Sequence, residues 1–133
     1  MNILFKTMLF AGLALAAAAA NAEVVVIVSA KSTATTMTAD DIANIYLGKS
    51  TAMRPVDNAT PVRAQFYTAV AGKDEAQVKA IWSKLVFTGK ATPPKELPSS
   101  AEVVKAVAAD PNAIGYVDKA SVDGSVKVVY EVK

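Results

Sequence analysis

The chain has 133 residues, of which 53% are hydrophobic and 20% charged, and its formal net charge is +2. It contains no Cys and no His, which excludes disulfides, thiol nucleophiles and Cys-based metal sites and removes the commonest metal ligand and general base. The 14 basic and 12 acidic residues, with only 7% aromatics, do not form the basic footprint of a nucleic-acid-binding protein. The length is that of one domain.

The first 22 residues have the pattern of a secretory signal peptide. Lys6 precedes an apolar stretch at residues 8–20, and Ala20 and Ala22 provide the small residues of a cleavage site. The apolar stretch is shorter than the ~20 residues that span a bilayer. We therefore expect cleavage after Ala22, a domain of residues 23–133, and a periplasmic or secreted location.

The mature chain is expected to begin with a strand and a capped helix. Residues 23–29 (EVVVIVS) form a continuous β-branched run, which predicts a strand covered on both faces, as in a parallel sheet. Thr38 and Asp41 have the spacing of a capping box, and the helix that they begin is expected to stop at Gly48. A short strand is predicted for residues 53–57.

Three further helices are predicted from capping residues: Thr60 before Pro61, Asp74 with Gln77, and Ser99 with Glu102. The first of these is expected to end at Gly72. Residues 91–98 (ATPPKELP) contain three prolines and are predicted to be irregular.

The last part of the chain is predicted to form strands at residues 113–118 and 126–132. The second alternates in polarity, which suggests an edge position or an antiparallel neighbour. Strands that alternate with capped helices favour an α/β fold, a three-layer sandwich with a mainly parallel sheet.

Four segments of the sequence together indicate a family: residues 38–49 (TADDIANIYLGK), 61–66 (PVRAQF), 81–94 (IWSKLVFTGKATPP) and 111–122 (PNAIGYVDKASV). In this order they resemble type II periplasmic substrate-binding proteins of phosphate ABC transporters. The third segment resembles more narrowly the small members with a single lobe. The resemblance implies one lobe of that fold and non-covalent binding of a small oxyanion, phosphate above all, for ABC-type uptake. It implies no cofactor, and a membrane transporter or envelope protein as partner. The missing His and Cys, and the lack of a nucleophile paired with a base, argue from the residues themselves against a metal site and an enzyme.

The resemblance also places the anion ligands. The hydroxyl-rich and N–H-rich stretch that holds the oxyanion in the family corresponds here to residues 58–63, in which Thr60 keeps a hydroxyl and Arg63 keeps a guanidinium. Asn58 is a polar replacement, and the backbone N–H groups of Val62 and Arg63 complete the expected ligands. Unpaired N–H groups at a helix start and a forked guanidinium both suit a tetrahedral oxyanion. The same residues alternatively form a plain Thr cap followed by a solvated Arg.

Two more residues are weaker candidates. Ser32 and Thr33 follow the first strand, and ligands of open α/β sheets usually lie at such loops. Their alternative interpretation is an ordinary solvated polar loop.

Several other residues are interpreted as structural. Asp40 and Asp41 suit the first turn of a helix, and Asp57 suits a turn. Gly115 is expected to permit close packing, and Trp82 to lie in the core on one stripe of its helix.

A second function remains open from the sequence. The chain is long enough for only one lobe, and a single lobe leaves its cleft open to water, which weakens charge interactions. The alternative is an interaction module of an envelope complex that kept the fold and lost the ligand.

Overall fold

The computed structural model describes residues 23–133, so the predicted signal peptide lies outside the described residues. The elements follow in this order: β1 (Val24–Ser29), α1 (Ala39–Tyr46), β2 (Arg54–Asn58), α2 (Val62–Phe66), a π-helical turn (Tyr67–Ala71), α3 (Glu75–Phe87), β3 (Lys95–Leu97), α4 (Ser100–Ala108), β4 (Ala113–Asp118), a 3-10 turn (Lys119–Ser121) and β5 (Val126–Glu131).

The strands form one sheet in the order β3-β2-β4-β1-β5. β2 is parallel to β3 and β4, whereas β1 is antiparallel to both of its neighbours, β4 and β5. Four of the five strands therefore share one direction, which confirms the mainly parallel sheet. β1 is buried along its whole length as predicted, but its direction is the reverse of the expected one. An apolar strand between two neighbours has the same burial pattern in either direction, so the sequence specifies its coverage and not its polarity.

Helix capping follows the sequence in three places and departs from it in one. Reciprocal capping boxes begin α1 and α3, and the Ser99 hydroxyl accepts from the Glu102 N–H at the start of α4. The prediction that Thr60 caps the next helix is wrong. The Arg63 N–H donates to the Thr60 carbonyl across 3.0 Å, so the chain makes a tight turn through Pro61 before α2 begins. The helical path then continues through the π turn to Gly72, which has φ +65°.

Residues 91–98 contain a strand that the sequence did not predict. β3 lies between Pro94 and Pro98 and pairs only with β2, with Glu96 opposite Asp57. An edge strand needs ladder hydrogen bonds on one side only, so prolines at its two ends do not prevent it. This strand has a functional consequence because it brings Glu96 to the end of β2.

Helices cover both faces of the sheet, which gives the predicted three layers. The side chains of β1 alternate between two cores: Val24, Val26 and Val28 face α1, α2 and α3, whereas Val25 and Ile27 face α4. The first core contains Trp82, which is 9% exposed and donates its ring N–H to the Tyr46 carbonyl across 2.7 Å. The structural interpretation of Trp82 is therefore confirmed.

Candidate functional site

The carboxyl ends of β2, β3 and β4 lie at the same end of the sheet, which we call its carboxyl end, and open α/β sheets bind their ligands at the carboxyl ends of the strands. A cavity of about 480 Å³ lies beside the carboxyl end. We call it the Arg63 cavity; its charged lining residues are Asp57, Arg63, Glu75, Lys79 and Glu96, and its apolar and aromatic wall includes Tyr67, Val78, Trp82, Pro93 and Pro94.

Arg63 is surrounded by carboxylates. Its guanidinium lies 3.2 Å from Glu96, 3.5 Å from Glu75 and 3.8 Å from Asp57, and its Nε donates to the Asn58 carbonyl across 3.2 Å. The side chain is only 19% exposed. Burial would lower the pKa of Arg63, but the charges of Asp57 and Glu96 outweigh it and raise that pKa. The solvated Arg of the alternative interpretation is therefore wrong: this guanidinium is held by ion pairs on several sides.

Asp57 accepts hydrogen bonds from a tyrosine hydroxyl and from a backbone N–H. The Tyr116 hydroxyl donates to Asp57 in a short hydrogen bond, and the Asn58 N–H donates to it across 2.9 Å. Tyr67 lines the same cavity as Asp57. Burial and the Asp57 charge raise the pKa of both tyrosines, so both hydroxyls stay protonated and available as donors. The expectation that Asp57 is a turn residue is wrong, because it lies within β2 and carries a partly buried charge.

An aromatic cluster packs around Tyr116, the residue whose hydroxyl donates to Asp57. Phe66 stacks on Tyr116 with ring centres 3.9 Å apart, and Tyr46 meets both rings edge-on. The Tyr46 hydroxyl donates to the carbonyls of Val56 and Ile114, one on each neighbouring strand. The floor of the site is thus tied to β2 and β4 by packing and by hydrogen bonds.

The structure brings together only part of the predicted ligand set. Of the six candidates, only Arg63 lines the Arg63 cavity. Asn58 is fully buried, and its amide donates to Ser100 Oγ and to the Tyr116 carbonyl, which ties β2 to α4 and β4. Val62 is buried in the core, and the Arg63 N–H is already used by Thr60. Of the two backbone N–H groups predicted as ligands, that of Arg63 is therefore already paired within the chain.

Two polar atoms next to the site remain unpaired. Thr60 Oγ1 and Asn58 Oδ1 are buried and have no hydrogen-bond partner within residues 23–133. The Thr60 hydroxyl can donate or accept, whereas the amide oxygen of Asn58 can only accept, but neither residue lines the Arg63 cavity.

Ser32 and Thr33 lie at the opposite end of the strands, beside the start of β4. β1 runs antiparallel to β4, with Val24 opposite Asp118 and Val28 opposite Ile114, so the loop after β1 is beside the start of β4. That end of the strands is on the order of 15 Å from the Arg63 cavity, given ~3.3 Å per strand residue. The Ser32 carbonyl accepts from Lys127 and its hydroxyl from the Ala34 N–H. Neither residue can therefore share a ligand with Arg63, and the cause is the reversed direction of β1.

Sequence reasoning missed the two glutamates of the site. Glu75 is the first residue of α3, and Glu96 arrives only because β3 exists. Glu75 carries the ordinary signal of an acidic residue at a helix start, and Glu96 is flanked by prolines that suggest a loop. The segment KEL between Pro94 and Pro98 is too short to predict a strand from periodicity.

The Arg63 cavity has more negative than positive groups, with three carboxylates against one guanidinium and one ammonium. No group of three or more acidic side chains in the described part of the chain is placed to hold a metal ion. None of the helices within residues 23–133 has the length and apolarity to cross a membrane.

Neither the protein-family models nor the curated proteins give a match to this sequence. Solved structures do match its fold. An ABC-type phosphate transport receptor from Vibrio cholerae has a TM-score of 0.63 at 17% identity, with 81% of this chain and 45% of that chain covered. A protein from Clostridium perfringens, assigned as a phosphate ABC transporter substrate-binding protein and solved with bound phosphate, has a TM-score of 0.65 at 21% identity, with 81% and 44% covered. PstS from Borrelia burgdorferi has a TM-score of 0.60 at 13% identity, with 81% and 46% covered.

These similarities confirm the fold class. The chain spans less than half the length of each of these proteins, and at these identities the likeness is one of fold alone.

Proposed function

We propose that this protein is a single-lobe substrate-binding domain that holds a small oxyanion non-covalently in the Arg63 cavity. The observation that carries the proposal is the position of a guanidinium in a cavity at the carboxyl ends of parallel strands, in a fold shared with phosphate receptors. Phosphate is the first ligand to test, for uptake through an ABC-type transporter. The chemistry is binding and not catalysis.

The geometry defines what an anion must displace. Glu96 and Glu75 are the exposed partners of Arg63, with side chains 57% and 51% exposed, whereas Asp57 is 13% exposed. An exposed carboxylate can rotate into water at little cost. We propose that the incoming oxyanion takes the place of the Glu96 carboxylate on Arg63, while Asp57 remains bound to the Tyr116 hydroxyl.

Calorimetric titration of phosphate, with sulfate in parallel, tests the proposal. We expect Arg63→Ala to weaken binding at least tenfold and Arg63→Lys to restore only part of it, because charge-assisted hydrogen bonds contribute about 1.5–3 kcal/mol each. Glu96→Gln should tighten binding, since it removes the charge with which the oxyanion competes. Glu102→Gln, on an exposed acidic residue of α4 whose side chain takes no part in the cavity, is the matched control.

A second function has its own supporting observation, the excess of carboxylates around Arg63. An interaction module of an envelope complex that kept the fold and lost the anion would retain this arrangement, in which carboxylates of the same chain already pair with Arg63. Absence of heat at millimolar phosphate in both the wild type and Glu96→Gln would favour this module over the receptor.

We also propose that the protein is exported and cleaved after Ala22. The small residues at Ala20 and Ala22 support this site. Mass spectrometry of the protein recovered from cells should find Glu23 as the first residue. A membrane-anchored species that retains Met1 would contradict both the cleavage and the location.

A further inference from the structure

The carboxyl-terminal end of α3 carries an apolar surface outside the Arg63 cavity. Phe87 is 92% exposed and Val86 is 45% exposed, and in the described residues the one other large exposed hydrophobic is Val128 at 38%. Beside these side chains is an open groove of about 450 Å³, lined by Lys79, Trp82, Ser83, Val86, Phe87 and Pro93. Neighbouring exposed apolar side chains beside a groove and rimmed by polar residues are typical of interaction surfaces.

The backbone holds this end of α3 in a fixed conformation. The Thr88 hydroxyl donates to the carbonyls of Lys84 and Leu85, and the Lys90 N–H donates to the Leu85 carbonyl across 3.0 Å. Gly89 has φ +72°, the left-handed conformation that closes a helix. Phe87 is therefore presented to solvent by an ordered helix end.

The charged residues of the segment that carries these side chains all have one sign. Residues 76–95 include no Asp or Glu and four exposed lysines: Lys79, Lys84, Lys90 and Lys95. The acidic residues that flank this segment, Glu75 and Glu96, both form ion pairs with Arg63. Within residues 23–133, Lys84 and Lys90 form no ion pair, so their positive charge is available to an external partner.

We propose that this surface, the α3 tip formed by Lys84, Val86, Phe87 and Lys90, docks onto an anionic lipid surface. Phe87 and Val86 enter the boundary between headgroups and acyl chains, and the lysines contact the headgroups, which is the usual combination of apolar burial and basic charge at a membrane surface. A second copy of the chain is disfavoured, because the lysines of two copies would repel each other. An acidic protein would satisfy the lysines, but a single protruding ring at a helix end suits insertion into lipid better than a packed protein interface.

Co-sedimentation with vesicles tests this docking. The full chain is mixed with vesicles of equal parts phosphatidylcholine and phosphatidylglycerol, and with vesicles of phosphatidylcholine alone. We expect binding to the anionic vesicles, weakened about tenfold by Phe87→Ala. Val128→Ala, on the other exposed hydrophobic, is the matched control and should bind as the wild type does. All variants share residues 1–22, so only the differences between them are interpreted.

The electrostatic part has its own pair of variants. Lys84→Gln with Lys90→Gln should weaken binding to anionic vesicles about tenfold, whereas Lys31→Gln with Lys105→Gln, which removes equal charge elsewhere, should have a much smaller effect. Added salt should weaken wild-type binding.

Three results would overturn the proposal. One is absence of binding to anionic vesicles, and another is equal binding by Phe87→Ala and the wild type. The third is binding to soluble poly-glutamate that matches binding to vesicles and does not depend on Phe87, which would identify an acidic protein as the partner. Failure here leaves phosphate binding untouched, since Phe87 takes no part in the Arg63 cavity.

Discussion

The two faces of the sheet are built from different residues. The face toward α1, α2 and α3 packs five aromatic side chains: Tyr46, Phe66, Tyr67, Trp82 and Tyr116. The hydroxyls of Tyr46 and Tyr116 and the ring N–H of Trp82 have hydrogen-bond partners within the fold. The hydrophobic core toward α4 is aliphatic, with no aromatic side chain among its buried residues in the described part of the chain: Val25, Ile27, Val56, Val103, Val104, Val107, Ala113, Val117 and Val126. The aromatic face forms the floor of the Arg63 cavity, whereas the aliphatic face holds the sheet in place.

The difference shows how this fold divides stability from function. Aromatic side chains with a polar end supply both buried area and donors that reach the surface, so they can orient a charge such as Asp57. Valines are stiff and fill space closely, but they have no polar group to offer. Variants on the two faces should therefore fail in different ways.

The largest effect is expected from Trp82→Ala on the aromatic face. Truncation of a buried aromatic costs about 3–5 kcal/mol of unfolding free energy, and here it also leaves the Tyr46 carbonyl without its donor. Urea denaturation measures the loss. Trp82→Phe is the control, which keeps most of the packing and should lose about 1 kcal/mol for the hydrogen bond. A midpoint unchanged in Trp82→Ala would mean that the ring does not contribute to this core.

On the aliphatic face, Gly115→Ala should destabilise the fold by about 1–3 kcal/mol through overpacking. A Cβ at this position would lie 2.7 Å from Val103 Cγ1 and 2.9 Å from Val107 Cγ2, and valines have little rotamer freedom to yield. Gly124→Ala is the matched control, because a Cβ at Gly124 would have no atom of residues 23–133 within 4 Å beyond its chain neighbours. Equal stability of both variants in thermal unfolding would show that α4 moves away from the sheet easily.

These two positions also show what the sequence can predict. Gly115 within an apolar strand and Trp82 on an apolar helical stripe are local signals, and both interpretations are confirmed. The site depends on pairings between distant segments: Glu96 reaches Arg63 through β3, and Ser32 is moved away by the reversed β1. Periodicity and capping patterns do not encode strand direction or the partner of a three-residue edge strand, so the fold class was predictable and the residues that line the cavity were predictable only in part.

A smaller effect is expected where the aromatic face meets the cavity. Arg63→Ala leaves Asp57 and two glutamates without their shared cation and should cost about 2 kcal/mol, since the pairs are partly exposed to solvent. A solvated Arg, the alternative interpretation of the sequence, would contribute little to stability. A double-mutant cycle with Asp57→Asn should recover part of the loss, because the uncompensated charge is then gone. Strict additivity of the two substitutions would mean that Asp57 and Arg63 do not interact.

The smallest effect concerns the alkaline limit of stability. Burial, followed by the charge of Asp57, raises the pKa of Tyr116 above its ordinary value near 10. Below that pH both the folded and the unfolded chains hold the proton, so the full stability is present. Above it the unfolded chain ionises first, and stability falls as the pH rises, by about 1.4 kcal/mol per pH unit for each such tyrosine. Tyr116→Phe should therefore start less stable at neutral pH, having lost its bond to Asp57, and then show a shallower decline above pH ~10. Denaturation at a series of alkaline pH values measures the stability of both proteins, and phenolate absorbance followed in parallel measures the ionisation of the tyrosines. If stability declined with pH at the same rate in Tyr116→Phe and in the wild type, Tyr116 would ionise as easily in the folded chain as in the unfolded one.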